Sequence, residues 1–447
     1  MHRKLTILVF LLALLVFSAS AAEEQTYIVK FNESLGTMSA DGAAVPEHRN
    51  YCSATQEELE DYLRMGVVDY YEQDHAITLF DEIVTAASDK VWNLDHIKIQ
   101  KAWDIGCFGN DVTVAVIDSG VYEHPLLKGK LLPGYNYIDN SSDTTDRIGH
   151  GTFVSGIIAA DTYGVAPQVK IVPLKCFDSG LTTQTRMLAD AIYDAIDVYD
   201  ADVINLSVGV PESLITKTFQ LSVEYAVKNG CIVVAAAGND GTTTAIYPAS
   251  YTNVIGVGSV NANNVRSSFS QHNASVDVVA PGEGLTGVSL DGYSGNAGTS
   301  FAAPHVSAAA AIVKCIKPNA NTATFDSILT ETCTDLGTAG KDEYYGYGAV
   351  DVEAMIDEVL KNTPVYISPI TDNVARIFNN SGAKLTAAGF VAAYEKNKFL
   401  RARQFPLDLS PNEVKQVAMY NMGTTEKIFL LREGGLYPLY PAKIYER

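Results

Sequence analysis

The strongest constraint on how this chain can fold is an alternation. Short runs rich in β-branched residues, Asp111–Asp118 (DVTVAVID), Lys170–Pro173 (KIVP), Val203–Ser207 (VINLS) and Ile232–Ala237 (IVVAAA), are separated by longer stretches of helical pattern. Those stretches include Gln184–Tyr199 and Pro211–Lys228, the latter stopped by Asn229 and Gly230. Strands alternating with helices imply a parallel sheet covered by helices on both faces. In such sheets the site lies beyond the carboxyl ends of the strands.

Two flanking segments break this rhythm. Before about Val91, Thr26–Phe31 (TYIVKF) reads as a strand, Thr55–Met65 as a short amphipathic helix and Val67–Tyr71 as a second strand, which together make a small α+β unit. After about Pro364, Phe390–Tyr394, Phe399–Phe405, Val414–Met419 and Lys427–Leu431 are separated by polar turns and predict a small antiparallel β-domain without a catalytic cluster. At the N-terminus, His2, Arg3 and Lys4 precede an apolar stretch from Leu5 to Phe17 and the small residues Ala19, Ser20 and Ala21. That order is a secretory signal, with cleavage expected after Ala21 or Ala22. No later run reaches the roughly 18 apolar residues of a spanning helix, so no membrane span is expected.

A chain of 447 residues has room for two or three folding units and a large core. Its 32 basic and 52 acidic residues leave a formal charge of −20, which disfavours nucleic acid or an anionic membrane as the main partner. A protein or a small molecule fits better. Six scattered cysteines without a CxxC pair argue against a zinc site and against a disulfide-dense scaffold. Cys231 and Cys315 lie in apolar runs and read as core residues.

Four local patterns carry chemistry. Val114–Ile117 deliver Asp118 to the end of a strand, with Ser119 and Gly120 turning the chain away. His150 stands between Gly149 and Gly151, ahead of an apolar helix over Phe153–Ala160. In Gly298-Thr299-Ser300 the serine would begin a helix, where free N–H groups and the helix dipole favour an anion, and Pro304 is placed in that helix's first turn. Asn239 ends the Ala235–Ala237 strand, where its amide could donate to an oxyanion. Each alone is more simply a turn, capping or packing residue. Together and in this order they are far less simply explained so: the serine's position suits a nucleophile whose attack creates an oxyanion, and Asn239 suits the donor to it.

VIDSG at Val116–Gly120, GHGT at Gly149–Thr152, AAAGND at Ala235–Asp240 and GTSFAAPHV at Gly298–Val306 resemble the active-site blocks of the subtilisin-like serine proteases, over about Val91–Asp357. The resemblance implies a subtilisin-like three-layer α/β sandwich with a parallel sheet, and a serine-type endopeptidase with Asp118, His150 and Ser300 as the triad and Asn239 in the oxyanion hole. By the same resemblance, Ser207 and Gly209 edge the substrate backbone, Ala236 to Gly238 wall the pocket for the residue before the cleaved bond, and Ile246 floors it. A branched floor predicts a shallow pocket that prefers small or medium side chains.

The segment after the signal resembles the family's inhibitory propeptide. The expected division is therefore 1–22 signal, 23–87 propeptide, 88–360 catalytic domain and 361–447 C-terminal β-sandwich-like domain. Autocleavage is expected between Phe80 and Ser88, with Ala86 or Ala87 preceding the cut. No cofactor is expected. The short connection between His150 and Lys170 lacks the loop that binds structural calcium in many relatives, so no metal is expected there. Phe153 and Phe301 replace a histidine and a methionine common in relatives. Expected partners are protein or peptide substrates and the chain's own propeptide. Expected localisation is extracellular, with a C-terminal domain that could hold the protein at a cell surface. A catalytically silent peptide binder is the competing reading; a different α/β-hydrolase would need a GxSxG elbow around its serine.

Overall fold

The structure is a computed structural model that describes residues 25–32, 46–79, 83–85, 91–371, 373–396, 398–420, 423–432 and 443–446. The predicted signal and the residues around the predicted cut at Ala86 or Ala87 lie outside them.

The centre is a sheet of seven strands, all parallel, in the order Val278–Pro281, Ile255–Val260, Ile232–Ala236, Val203–Leu206, Thr113–Asp118, Lys170–Lys175, Tyr135–Asn136. Its strands read as unbroken apolar runs because both faces are buried. In the strand Thr113–Asp118, Val114 and Val116 enter one core, beneath the helices His150–Ala159 and Thr299–Ile316. Ala115 and Ile117 enter the other, beneath Thr185–Asp197 and Lys217–Lys228. Side chains alternating at period two thus separate three layers.

The helix Thr299–Ile316 is long and apolar enough to cross a membrane, but it is the buried central helix of this fold. Its alanines let it lie close to the sheet. One expectation about it is corrected: the helix starts at Thr299, so Pro304 falls in the second turn and not the first. A proline there removes the donor that would bond the carbonyl four residues earlier, that of Ser300. The Ser207 hydroxyl supplies the missing bond, donating to the Ser300 carbonyl at 2.7 Å.

His305, in the same helix, is fully buried. Its Nδ1 donates to the Phe301 carbonyl at 2.9 Å, and its Nε2 faces the Asn93 amide nitrogen at 2.8 Å. Burial pushes its pKa down to about 4, and the Asn93 donor leaves no acceptor for a second ring proton. Below pH 6.5 the unfolded chain takes up a proton that the folded chain refuses, so stability is lost as pH falls, by about 3 kcal/mol at pH 4. We therefore expect His305→Gln to flatten the fall in unfolding free energy between pH 6.5 and 4, measured by denaturant titration in a Ser300→Ala background. A slope unchanged by the substitution would show that His305 is not its source.

The N-terminal unit pairs Tyr51–Ala54, Tyr27–Phe31 and Val68–Gln73 as an antiparallel sheet under the helix Gln56–Met65. Thr55 and Glu58 form a capping box at the start of that helix, and Gly66 ends it at φ 70°, which is why the sequence marks both ends sharply. The unit rests on the two helices of the second core layer. Tyr51 donates to Asp190 at 2.6 Å, Arg49 pairs with Asp194 and Asp197, and two carboxylates cap helix starts. Glu72 accepts from the backbone of Lys217 and Thr218, and Asp74 from Thr185 Oγ1 and the Arg186 N–H. The chain then adds Ala76–Thr78 antiparallel to Thr182–Gln184, and Ile83–Thr85 antiparallel to Gly292–Ala297.

From Val365 onward two antiparallel sheets enclose a separate core that includes Ile377, Val391, Phe405, Leu407 and Ile428. The strands Leu385–Glu395 and Lys398–Leu409 are longer than the sequence suggests, because Ala387, Ala388 and Gly389 carry little strand signal. Tyr366 and Phe378 join the main core, and Arg376 stacks over Phe108.

Candidate active site

Three adjacent strands end at the same edge of the sheet. The first finishes at Asp118, its neighbour, the middle strand of the sheet, passes into Ser207–Gly209, and the next leads to Gly238 and Asn239. Chain order reverses here, between strands that continue to one side and those that continue to the other, and such a crevice is where α/β sheets bind ligands.

Asp118 is fully buried, and its Oδ1 accepts from His150 Nδ1 at 2.6 Å and from the Ser119 N–H at 2.6 Å. The histidine is the first residue of its helix. Gly151 is required there because a Cβ would sit 2.2 Å from the Gly120 carbonyl and 3.0 Å from Asp118 Oδ1. The bond to Asp118 fixes the imidazole with its Nδ1 proton toward the carboxylate and Nε2 toward the crevice.

Ser300 is the second residue of the long helix, among N–H groups that have no carbonyl to bond within it. Its hydroxyl donates to the Ser207 carbonyl at 3.3 Å. Asn239 is anchored by its Oδ1, which accepts from the Thr299 N–H at 2.9 Å and the Thr299 hydroxyl at 2.7 Å. Its NH₂ end then lies over Gly298, where a Cβ would approach Nδ2 to 3.2 Å. That aims a donor at the helix start, and one such donor is worth roughly 10² to 10³ in rate.

The specificity residues fall as follows. Gly238, at φ 110°, would meet Ile246 Cγ1 at 2.9 Å if it bore a Cβ, so these two are in contact. Ile246 is buried and its strand pairs with Val210–Pro211, just beyond Gly209. Ala236, by contrast, turns its methyl into the main core and can face the crevice only through its backbone. Beside His150 a cleft of about 460 Å³ is lined by Gly149, Leu290, Tyr293 and Asn296.

The supporting residues were not among the sequence candidates. Asp146, nearly inaccessible, accepts from the Ser119 hydroxyl, from the Ile148, Gly149 and Thr152 N–H groups and from Thr152 Oγ1. It thereby ties the turn after Asp118 to the start of the His150 helix. Lys175 lies beneath them and donates to the carbonyls of Ser119 and Thr145, its pKa lowered by burial against the raising pull of Asp146. Asn205 links Ser307 to Ser207 and so to the Ser300 carbonyl. An aspartate three residues before Gly149 is the readable signal for this support, as an Asx turn leading into a helix start. Phe153 and Phe301, the two departures from the family pattern, meet each other edge to face at 4.7 Å, and the Phe301 ring lies 5.6 Å from that of His150.

A buried carboxylate holding a histidine beside a helix-terminal serine defines a serine hydrolase site on a parallel sheet. The comparisons with known proteins narrow this. The subtilase family model matches residues 109–348. The chain is 38% identical over 258 residues to a thermophilic serine proteinase of Bacillus sp. strain AK1, covering 56% of this chain and 63% of that protein. It is 33% identical over 361 residues to an alkaline protease of Alkalihalobacillus alcalophilus, covering 75% of this chain and 93% of that one. A solved protease structure from Pseudoalteromonas arctica superposes with a TM-score of 0.55 at 30% identity, over 59% of this chain and 94% of that one. The chain belongs to the subtilase family of subtilisin-like serine proteases.

Proposed function

We infer that this chain is a secreted serine endopeptidase that works through an acyl-enzyme on Ser300 and is made as a zymogen that trims itself. The observation that carries the reading is a convergence. Asp118, His150, Ser300 and Asn239 gather at one sheet edge, while the chain's own N-terminal unit lays strands 76–78 and 83–85 against the catalytic body.

In the reaction, Ser300 Oγ leaves the Ser207 carbonyl, passes its proton to His150 and bonds to the scissile carbonyl carbon. Asp118 stabilises the imidazolium, and the Asn239 amide with the Ser300 N–H holds the oxyanion. The C–N bond breaks as His150 protonates the amine, and water then hydrolyses the ester by the same route. The Ser207–Gly209 edge pairs with the substrate backbone as an added strand. The contact between Ile246 and Gly238 supports a shallow pocket for small or medium side chains.

Residues 25–79 act as inhibitor and folding template, gripping two helix starts through Glu72 and Asp74. Strands 76–78 and 83–85 pair with Thr182–Gln184 and Gly292–Ala297 of the catalytic body, and a shallow pocket favours Ala86 or Ala87 as the residue before the cut. The signal-like N-terminus supports export. A fluorophosphonate probe should label the processed protein once, at Ser300; absence of label on folded protein would favour a silent peptide binder.

A further inference from the structure

The formal charge of −20 conceals an uneven distribution: residues 364–447 hold 11 Lys and Arg against 7 Asp and Glu. Five of those cations, Lys396, Lys398, Arg401, Arg403 and Lys427, lie at one end of the C-terminal domain. Lys398–Leu409 is an edge strand of its sheet. Its second half alternates as a half-buried strand should, with Phe405, Leu407 and Leu409 inside, but Lys398, Phe399, Leu400, Arg401 and Ala402 are all exposed. Phe399 is 61% and Leu400 44% exposed.

Around them the side chains interlock. The Phe399 and Tyr394 rings meet edge to face at 5.9 Å, Lys427 lies 5.1 Å from the Tyr394 ring, and Arg401 and Arg403 lie 4.4 and 5.8 Å from the Tyr420 ring. Leu400 packs near Gly423, where a Cβ would come within 3.2 Å of its methyl. Among the described residues the acids at this end are Glu395 in the turn, Glu446 on the far strand and the buried Glu426. Cations beside aromatic and aliphatic side chains that stay largely exposed despite these contacts form an amphipathic surface.

We propose that this end of the C-terminal domain docks on an anionic phospholipid surface, with Phe399 and Leu400 entering the interface and Lys398, Arg401, Arg403 and Lys427 facing the headgroups. The acidic bulk of the molecule does not prevent this, because charges farther than about 8 Å are largely screened at physiological ionic strength. Each cation near such a surface adds favourable attraction, and aromatic and aliphatic tips add burial that a purely hydrophilic anionic polymer could not use.

The test is flotation of the full-length Ser300→Ala chain with vesicles of phosphatidylcholine alone or with about one third phosphatidylglycerol. We expect binding to the anionic vesicles at least ~10-fold above the neutral ones, falling as salt rises. Arg401→Glu with Arg403→Glu, and separately Phe399→Ser with Leu400→Ser, should each lower it at least ~10-fold. The same pairs in the active chain should leave kcat/KM on a short peptide unchanged. Phe399, Leu400 and Arg401 are exposed and Arg403, which donates to the Ala418 carbonyl, is half-buried, so circular dichroism and a thermal melt check that the variants stay folded. Equal binding to both vesicle types, no binding at low salt, or binding unaffected by either pair overturns the proposal. Retention on a soluble anionic phosphate polymer that survives Phe399→Ser with Leu400→Ser would also overturn it, and would point to a wall polymer instead.

Discussion

Replacing Ser300 by alanine is expected to leave the chain untrimmed in a protease-free host, where the parent accumulates as the shorter mature form. On a peptide substrate the loss should be of the size that removing the nucleophile causes in proteases of this type, roughly 10⁶-fold in kcat. The substitution removes Oγ and little else. Ser300 is fully buried, its hydroxyl makes a long 3.3 Å bond to the Ser207 carbonyl, and its own carbonyl stays held by the Ser207 hydroxyl. Stability should therefore change by no more than about 1 to 2 kcal/mol. Intact mass of the secreted product, with a thermal melt beside it, separates lost chemistry from lost fold. A Ser300→Ala chain trimmed at the parent's rate would show that another protease does the cutting.

Asp118→Asn is expected to cost about 10⁴-fold in kcat, with KM little changed. Asp118 Oδ1 receives both the His150 Nδ1 and the Ser119 N–H, while Oδ2 is buried with no hydrogen-bond partner among the described residues. An asparagine therefore has two poor choices. With its oxygen in the Oδ1 place, the NH₂ is buried without an acceptor and the imidazolium loses its counter-charge. Reversed, the NH₂ faces Nδ1 and forces the ring proton onto Nε2, where it blocks acceptance from Ser300. Both raise the barrier to proton transfer, so slowed self-processing, followed as a time course of propeptide release, should accompany the slow turnover. Turnover within tenfold of the parent would mean that Asp118 does not orient His150.

Much of this molecule was legible because its signals are local. A parallel strand buried on both faces writes itself as an apolar run, as in Val203–Leu206, and Thr55, Glu58 and Gly66 mark both ends of their helix within a dozen residues. The helix start at Thr299 was less legible. Pro304 suggested a first-turn proline, but the Ser207 hydroxyl makes a second-turn proline tolerable, and that hydroxyl lies 93 residues away in sequence. The strand Leu385–Glu395 extends past the expected Phe390–Tyr394 because its alanines and glycine pack between neighbouring strands, a tertiary effect that local propensity does not carry.

The sequence by itself determined the candidates for the reacting groups: an aspartate at a strand end, a histidine between glycines, a serine at a helix start and an asparagine after a strand, in an order that resembles one family's active-site blocks. Only the tertiary structure decided what holds them. Asp146 bridges the Asp118 turn and the His150 helix, Asn205 and Ser207 anchor the Ser300 helix to the sheet, and Asn93 fixes the proton of His305 from 212 residues away. A buried polar group is stable only with its partner in place, and that partner is chosen by which strands become neighbours and which way each side chain faces. Those are properties of the assembled sheet, absent from any single stretch of the chain.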